Sequence, residues 1–369
     1  MDAFCILFTD NYDGKENKLN EISGKRTLSS IPFGGRYRLI DFMLSSLVGA
    51  NVHNIGIIAK SKYGSLMDHL GWGKDWDLDR KNGGIKILTP FATTDFSYND
   101  NQFDILKSVH GYIESMLPEY CVIANANMIA NIDFNEMFAQ HISSGADISV
   151  LCTKTTPSDN DTELTVENGK VTRAIIHTVA KEEETMVAQD IFVMEKSLLY
   201  ALIDHGVSYG WRTFKKDVIA KKFSELNIHA YEHKGYFKLI EDPQEYLTAN
   251  LEMLDKDTRR ELFASSQPIL TRTKDSVPTK YGDNASVSSC YVADGCVIDG
   301  CVENSIIFRN VKIGKGTKIS NSVIMQNTVI EENAQLDCVI VDKNATITQG
   351  VEIKGAKTLP VVVNKGKTV

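Results

Sequence analysis

The chain has 369 residues and carries 48 acidic against 40 basic side chains, a formal net charge of -8. That length exceeds what one ordinary core fills, so two domains are expected. The acidic balance argues against a nucleic-acid binder, which presents a basic face, and no apolar run approaches the roughly 20 residues that span a bilayer.

Met1-Asp2-Ala3 lacks the basic segment and long apolar core of a signal peptide. The seven cysteines are scattered, with no Cys-x-x-Cys pair. Both features point to a reduced cytoplasmic compartment. Along the first 260 or so residues, short apolar strands alternate with amphipathic helices, the pattern of a mostly parallel sheet covered on both faces. Phe4 to Phe8 reads as the first strand, Asp41 to Ala50 as a helix and Asn54 to Ala59 as the next strand. A helix is expected over Asp104 to Met116, stopping before Pro118, with a strand over Tyr120 to Ala124. Phe134 to Ser144 is helical up to Gly145, and Asp147 to Thr153 is again a strand. The helix over Pro243 to Leu254 has Asp242 as its cap and Pro243 at its first position.

The period then changes. Gln267 to Val277, with Pro268 inside it and Pro278 just beyond, reads as a connector. After it the chain repeats every five to six residues. The units include Asn-Ala-Ser-Val at Asn284, Cys-Val-Ile-Asp-Gly at Cys296, Asn-Val-Lys-Ile-Gly at Asn310, Asn-Thr-Val-Ile at Asn327 and Asn-Ala-Thr-Ile at Asn344. This is the hexapeptide pattern of a parallel β-helix, whose coils bury their apolar faces only by stacking. Cys290, Cys296 and Cys301 follow the repeat and are expected to be small inward residues. The expected organisation is a first domain over 1–262, a linker over 263–278 and the repeat domain over 279–369.

The most distinctive run is Pro32-Phe33-Gly34-Gly35-Arg36-Tyr37-Arg38-Leu39-Ile40-Asp41-Phe42. A second is Ser65-Leu66-Met67-Asp68-His69-Leu70, followed by Gly73-Lys74-Asp75-Trp76-Asp77-Leu78-Asp79-Arg80. Together with the repeats, these resemble the glucose-1-phosphate adenylyltransferases (ADP-glucose pyrophosphorylases) over nearly the whole chain. The resemblance implies a Rossmann-like nucleotidyltransferase domain with a mostly parallel sheet, followed by a C-terminal left-handed parallel β-helix. Family members transfer AMP from ATP to glucose 1-phosphate. The reaction needs backbone amides around the triphosphate, a lysine against developing negative charge, and carboxylates that hold magnesium.

Position by position, this chain departs from that chemistry. The family's GGxGTRL loop reads Asp13-Gly14-Lys15-Glu16-Asn17-Lys18-Leu19, placing acid where a triphosphate belongs. The lysine of the R-A-K-P-A run is Leu28. The aspartate of the S-G-D-H-I-Y run is Asn127, and that of the W-R-D-V-G-T run is Leu239; a register shift of two would recruit Glu241 instead. The sugar-phosphate segment F-V-E-K-P reads Ala174-Ile175-Ile176-His177-Thr178. Lys25, Arg26 and Arg38 match basic positions that in the family line an allosteric anion site, so they are the candidate effector residues.

The resemblance therefore implies a non-catalytic regulatory subunit of ADP-glucose pyrophosphorylase in glycogen biosynthesis. Its expected partner is a catalytic glucose-1-phosphate adenylyltransferase subunit in a heterotetramer, with a phosphorylated effector. This chain is expected to hold no cofactor and no metal, with magnesium in the catalytic partner, and to contact neither nucleic acid nor membrane. Two alternatives stand beside it. One is a weakly active adenylyltransferase in its own right. The other is a β-helix acyltransferase, which ranks last because such enzymes use a histidine and none follows His233.

Overall fold

The computed structural model describes residues 2–12, 18–81, 83–90, 101–263 and 267–369. The strands before the repeats are β1 (Ala3–Phe8), β2 (Pro32–Phe33), β3 (Tyr37–Arg38), β4 (Asn54–Ile58), β5 (Gly84–Leu88), β6 (Tyr120–Asn125), β7 (Met128–Ala130), β8 (Ile148–Thr155), β9 (Thr162–Glu167), β10 (Lys170–Ile176), β11 (Thr185–Glu195), β12 (Ile228–Glu232) and β13 (Phe237–Leu239). Nine of them form one sheet in the order β5-β4-β1-β6-β11-β8-β12-β10-β9. From β5 to β6 every pairing is parallel. Buried on both sides, β1 is apolar along its whole length, as a central parallel strand must be. Beyond β6 the sheet is mixed. β11 runs antiparallel to both β6 and β8, and β8 and β12 are parallel. A separate two-stranded piece pairs β13 with β7.

Local chemistry sets the helix boundaries. The first predicted helix spans Leu39–Gly49. It begins two residues before Asp41, because the Asp41 carboxylate reaches back to accept from the Arg38 N–H at 2.9 Å. The segment predicted as one helix over Asp104 to Met116 is two, Gln102–Ser108 and His110–Ser115. The start at Gln102 follows from Asn101, whose side chain accepts from the Asp104 N–H at 2.8 Å. Phe134–Ser144 ends at a left-handed Gly145 as expected. Pro243–Glu252 carries a full capping box, with Asp242 Oδ1 accepting from Glu245 N and Glu245 Oε2 from Asp242 N.

From Lys280 onward, three columns of five parallel strands stack into a left-handed parallel β-helix. One ladder of corners is Asn310, Asn327 and Asn344, all left-handed with φ near 57°. Each asparagine amide donates to the next one a coil away, at 3.2 and 3.1 Å. Asparagine tolerates that conformation and satisfies its own side chain there, which is why it opens the repeat units. The interior is filled by residues such as Ile298, Val302, Ile313, Ile330 and Ile347. Cys296 points inward, whereas Cys290 is half-buried and Cys301 is exposed with Val302 inside in its place. The expectation of inward cysteines thus holds for Cys296 and for the half-buried Cys290, which packs against the same interior, and fails for Cys301. All seven cysteines are free.

The β-helix and the first domain share a core. Leu28, Phe33, Phe42 and Tyr246 pack in one buried cluster with Phe308, Met325 and Ile340. Through this apolar junction runs one ion pair. Arg26 Nη2 donates to both oxygens of Asp342 at 2.6 Å, and the two side chains are 3% and 2% exposed. The connector is fastened to the Leu39–Gly49 helix as well. Ser45 Oγ accepts from Leu270 N at 2.8 Å, and Thr271 Oγ1 donates to Asp41 Oδ2 at 2.6 Å. Asp41 also takes a 2.6 Å contact from His69 Nε2, so the aspartate of the distinctive motif is a buried structural node.

Removing one partner of a buried pair leaves an uncompensated charge, which typically costs about 3–5 kcal/mol. Asp342→Leu should therefore lower stability to urea by about that much, and Arg26→Met combined with Asp342→Leu should recover most of the loss. A single variant as stable as the parent chain would mean that the pair does not fasten the junction.

Candidate functional site

In an α/β sheet, ligands bind beyond the carboxyl ends of the strands. Here that region lies past the carboxyl ends of β1 and β6, beside Asp190 of the antiparallel β11. The chain leaves β1 through Thr9, Asp10 and Asn11. Asp10 Oδ1 accepts from the Leu28 N–H at 2.9 Å, and burial pushes its carboxyl above the ordinary aspartate range.

The structure brings two of the three degenerate positions together. Asn127 lies between β6 and β7, and Leu239 pairs with Met128 across β13 and β7. The backbone carbonyl of Asn127 accepts from Ile240 N at 2.9 Å, which fixes the register. Both residues line one cleft with Asn125, Asp190, Lys215 and Glu241. Asn127 Nδ2 donates to Asn11 Oδ1 at 3.1 Å, while its Oδ1 and that of Asn125 are buried without a protein partner among the described residues. The third position, Leu28, sits elsewhere: its side chain is in the junction core, and only its amide faces the strand end. Of the family's phosphate-loop stretch, residues 13–17 lie outside the described residues. His177, in the sugar-phosphate segment, is turned to Glu163 at 2.7 Å.

This donor set does not fit a magnesium ion. Magnesium takes an octahedron of hard oxygens, usually anchored by carboxylates. Asn127 is uncharged, Leu239 has no donor, and the Asp190 carboxylate already faces the Lys215 ammonium at 3.5 Å. No group of three or more histidine, cysteine, aspartate or glutamate side chains suited to a metal occurs among the described residues. The cavity between these residues measures about 30 Å³, room for about two waters. Against the burial of its side chain, Asp190, Asp161 and Glu241 hold the Lys215 ammonium above its ordinary range.

The three basic candidates are placed differently from one another. Lys25 is exposed. Arg26 is consumed by Asp342. Arg38 donates through Nη1 to the Ser65 carbonyl at 2.6 Å and to Ser65 Oγ at 3.0 Å. Burial brings its guanidinium down to about 10, with Arg26 and Arg272 pushing the same way against Asp41. The sequence reading missed Lys343. It follows Asp342 in the repeat, and burial plus the charges of Arg38 and Arg26 push it down to about 6. Lys274 is lowered too, first by burial and then by Arg272, Arg38 and Arg309. The junction thus collects more positive than negative charge. Sequence alone offers no distinguishing signal for Lys343, because charged residues such as Lys312, Lys318 and Glu331 recur throughout the repeats.

The comparisons with known proteins agree with this geometry. The nucleotidyl transferase family model matches residues 13–254, and the GlmU-like C-terminal hexapeptide model matches residues 275–358. The chain is 36% identical to the glycogen biosynthesis protein GlgD of Bacillus subtilis (strain 168), over 95% of this chain and 93% of the relative. The chain belongs to the GlgD family within the nucleotidyl transferases. GlgD of Geobacillus stearothermophilus is 37% identical over 94% of the chain and 92% of the relative. The glucose-1-phosphate adenylyltransferase of Geobacillus stearothermophilus is 28% identical over 83% of the chain and 81% of the relative. The GlgD relatives are thus matched more fully than this adenylyltransferase. Among the described residues no helix is long and apolar enough to cross a membrane.

Proposed function

We propose that this chain is a non-catalytic regulatory subunit that assembles with a catalytic glucose-1-phosphate adenylyltransferase in a heterotetramer of glycogen biosynthesis. The observation that carries the reading is the meeting of Asn127, at the entry to β7, with Leu239 of the paired β13 in one cleft, where the resemblance puts two metal-binding carboxylates. An amide and an aliphatic side chain there remove the electrostatic stabilisation on which phosphoryl chemistry depends. The fold, the connector and the shared core are meanwhile kept, which suits a chain whose work is assembly and regulation. Magnesium and nucleotide chemistry then belong to the partner.

In the same reading, the surplus of cations at the junction receives a phosphorylated metabolite. Arg38, Lys343 and Lys274 offer donors to an oxyanion, Lys25 stands exposed nearby in sequence, and Arg26 holds the frame. An anion seated there binds both domains, so it favours whichever arrangement of the two brings the cations closest.

The deciding assay compares ADP-glucose synthesis by this chain alone, by a catalytic homologue alone and by the two mixed. The chain alone should fall at least about 10³-fold below the mixture, and the mixture should differ from the homologue in its response to effectors. Asn127→Asp should recover less than about tenfold, because groups that act as a unit are not repaired singly. Robust turnover by the isolated chain favours the alternative of an active adenylyltransferase.

Lys343 gives this reading a pH signature. With its amine pushed down to about 6 in the free chain, it is mostly neutral at pH 7.5. A bound anion favours the ammonium, so binding takes up a proton and weakens as pH rises above about 6. Sulfate titrations followed by calorimetry, with a ligand whose charge stays fixed, should show affinity falling several-fold between pH 6 and 8, and Lys343→Met should flatten that slope. A parent slope matching that of Lys343→Met would remove Lys343 from the site.

A further inference from the structure

The cleft contains a lysine that the comparison of motifs does not account for. Lys215 lies in the helical segment Phe214–Ile219, whose entry is rigidly held. Asp217 Oδ2 accepts from Arg212 N at 2.7 Å and from Thr213 N at 3.0 Å, and Gln102 Oε1 accepts from Phe214 N at 2.9 Å. Phe214 is anchored in the core, stacked on Phe103 with ring centroids 4.7 Å apart. The Lys215 side chain is therefore aimed by its neighbours. Its ammonium lies 3.5 Å from Asp190 Oδ2, with the two side chains 13% and 21% exposed. Asp161 and Glu241 face the same charge, and Asn127 and Leu239 line the same small cavity.

We propose that the Lys215 ammonium is a built-in cation that takes the place of a divalent metal in this cleft and closes it to metal-bound nucleotide. Asp190 beside the ammonium, with Asp161 and Glu241 on the same cavity, puts negative charge around a mostly buried space, which is costly unless a cation sits there. In a catalytic cleft a metal ion supplies that charge. Here Asn127 and Leu239 offer a metal no carboxylate, and the chain supplies the charge beside Asp190 covalently. A tethered ammonium needs no octahedral shell and does not dissociate. It also repels an incoming divalent ion and fills volume that a triphosphate would require. The cleft is thus held by an internal ion pair rather than simply emptied of function.

The inference deepens the non-catalytic reading and rests on it, yet the two fail separately, because the test below reads cation binding and the mixed-subunit assay reads turnover. The full chain is titrated with Mn²⁺ by calorimetry, and its thermal midpoint is followed with and without the ion. The parent and Lys215→Arg should show no saturable Mn²⁺ binding and no shift in midpoint. Lys215→Met should melt lower than the parent, bind Mn²⁺ saturably, and regain part of its midpoint with the ion. Adding Asp190→Asn to Lys215→Met should abolish that gain. Should Lys215→Met fail to fold, the parent still decides: saturable Mn²⁺ binding by the parent that Asp190→Asn removes would overturn the proposal. A folded Lys215→Met with the parent's midpoint and no Mn²⁺ binding would overturn it equally.

Discussion

The ion pair between Arg26 and Asp342 is the contact on which the two domains depend. It sits in a shared apolar core, where neither charge has water to fall back on. Its position also fixes what lies two residues further along. With Arg26 held by the β-helix, Leu28 is drawn into the junction core and its amide reaches Asp10 at the end of β1. The same short segment thus joins the β-helix to the mouth of the cleft. A leucine at position 28 suits this duty, because it fills the core that a charged side chain would have to leave.

Charge is distributed in opposite senses at the two ends of that segment. In the cleft, the carboxylates of Asp190, Asp161 and Glu241 meet the tethered Lys215 ammonium, with Lys216 on the same lining. At the junction, Asp342 is committed to Arg26, and Arg38, Lys343 and Lys274 crowd one another. The cleft carries its own counter-cation among surplus carboxylates, whereas the junction is left short of negative charge. That contrast fits a chain that has exchanged nucleotide chemistry for anion-dependent coupling between its domains.

Much of the fold was legible because it follows from local rules. The Asp242-Pro243 start marks its helix through a capping box, and the left-handed asparagine corners mark the coils by a conformation few residues accept. Burial on both faces made β1 readable as an apolar run. The mixed part of the sheet was not readable, because strand direction is set by pairing across the chain: β11 meets β6 and β8 from distant segments. At the site, Asn127 and Leu239 could be aligned in sequence, and their adjacency where β13 pairs with the start of β7 is what the fold adds. The role of Arg26 was not legible, since its partner Asp342 is 316 residues away. Lys343 and Lys215 escaped notice for the same reason: each matters through charges that only the tertiary fold brings near.

Hydrogen–deuterium exchange of the full chain, with inorganic phosphate and with magnesium-ATP added separately, tests the central claim most directly. It reads both ends of the 26–28 segment in one experiment. The account predicts that phosphate slows exchange around residues 272–274 and 342–344, and that magnesium-ATP leaves residues 127–130 and 237–240 unchanged. Protection of those cleft strands by magnesium-ATP, with no protection at the junction by phosphate, would contradict it.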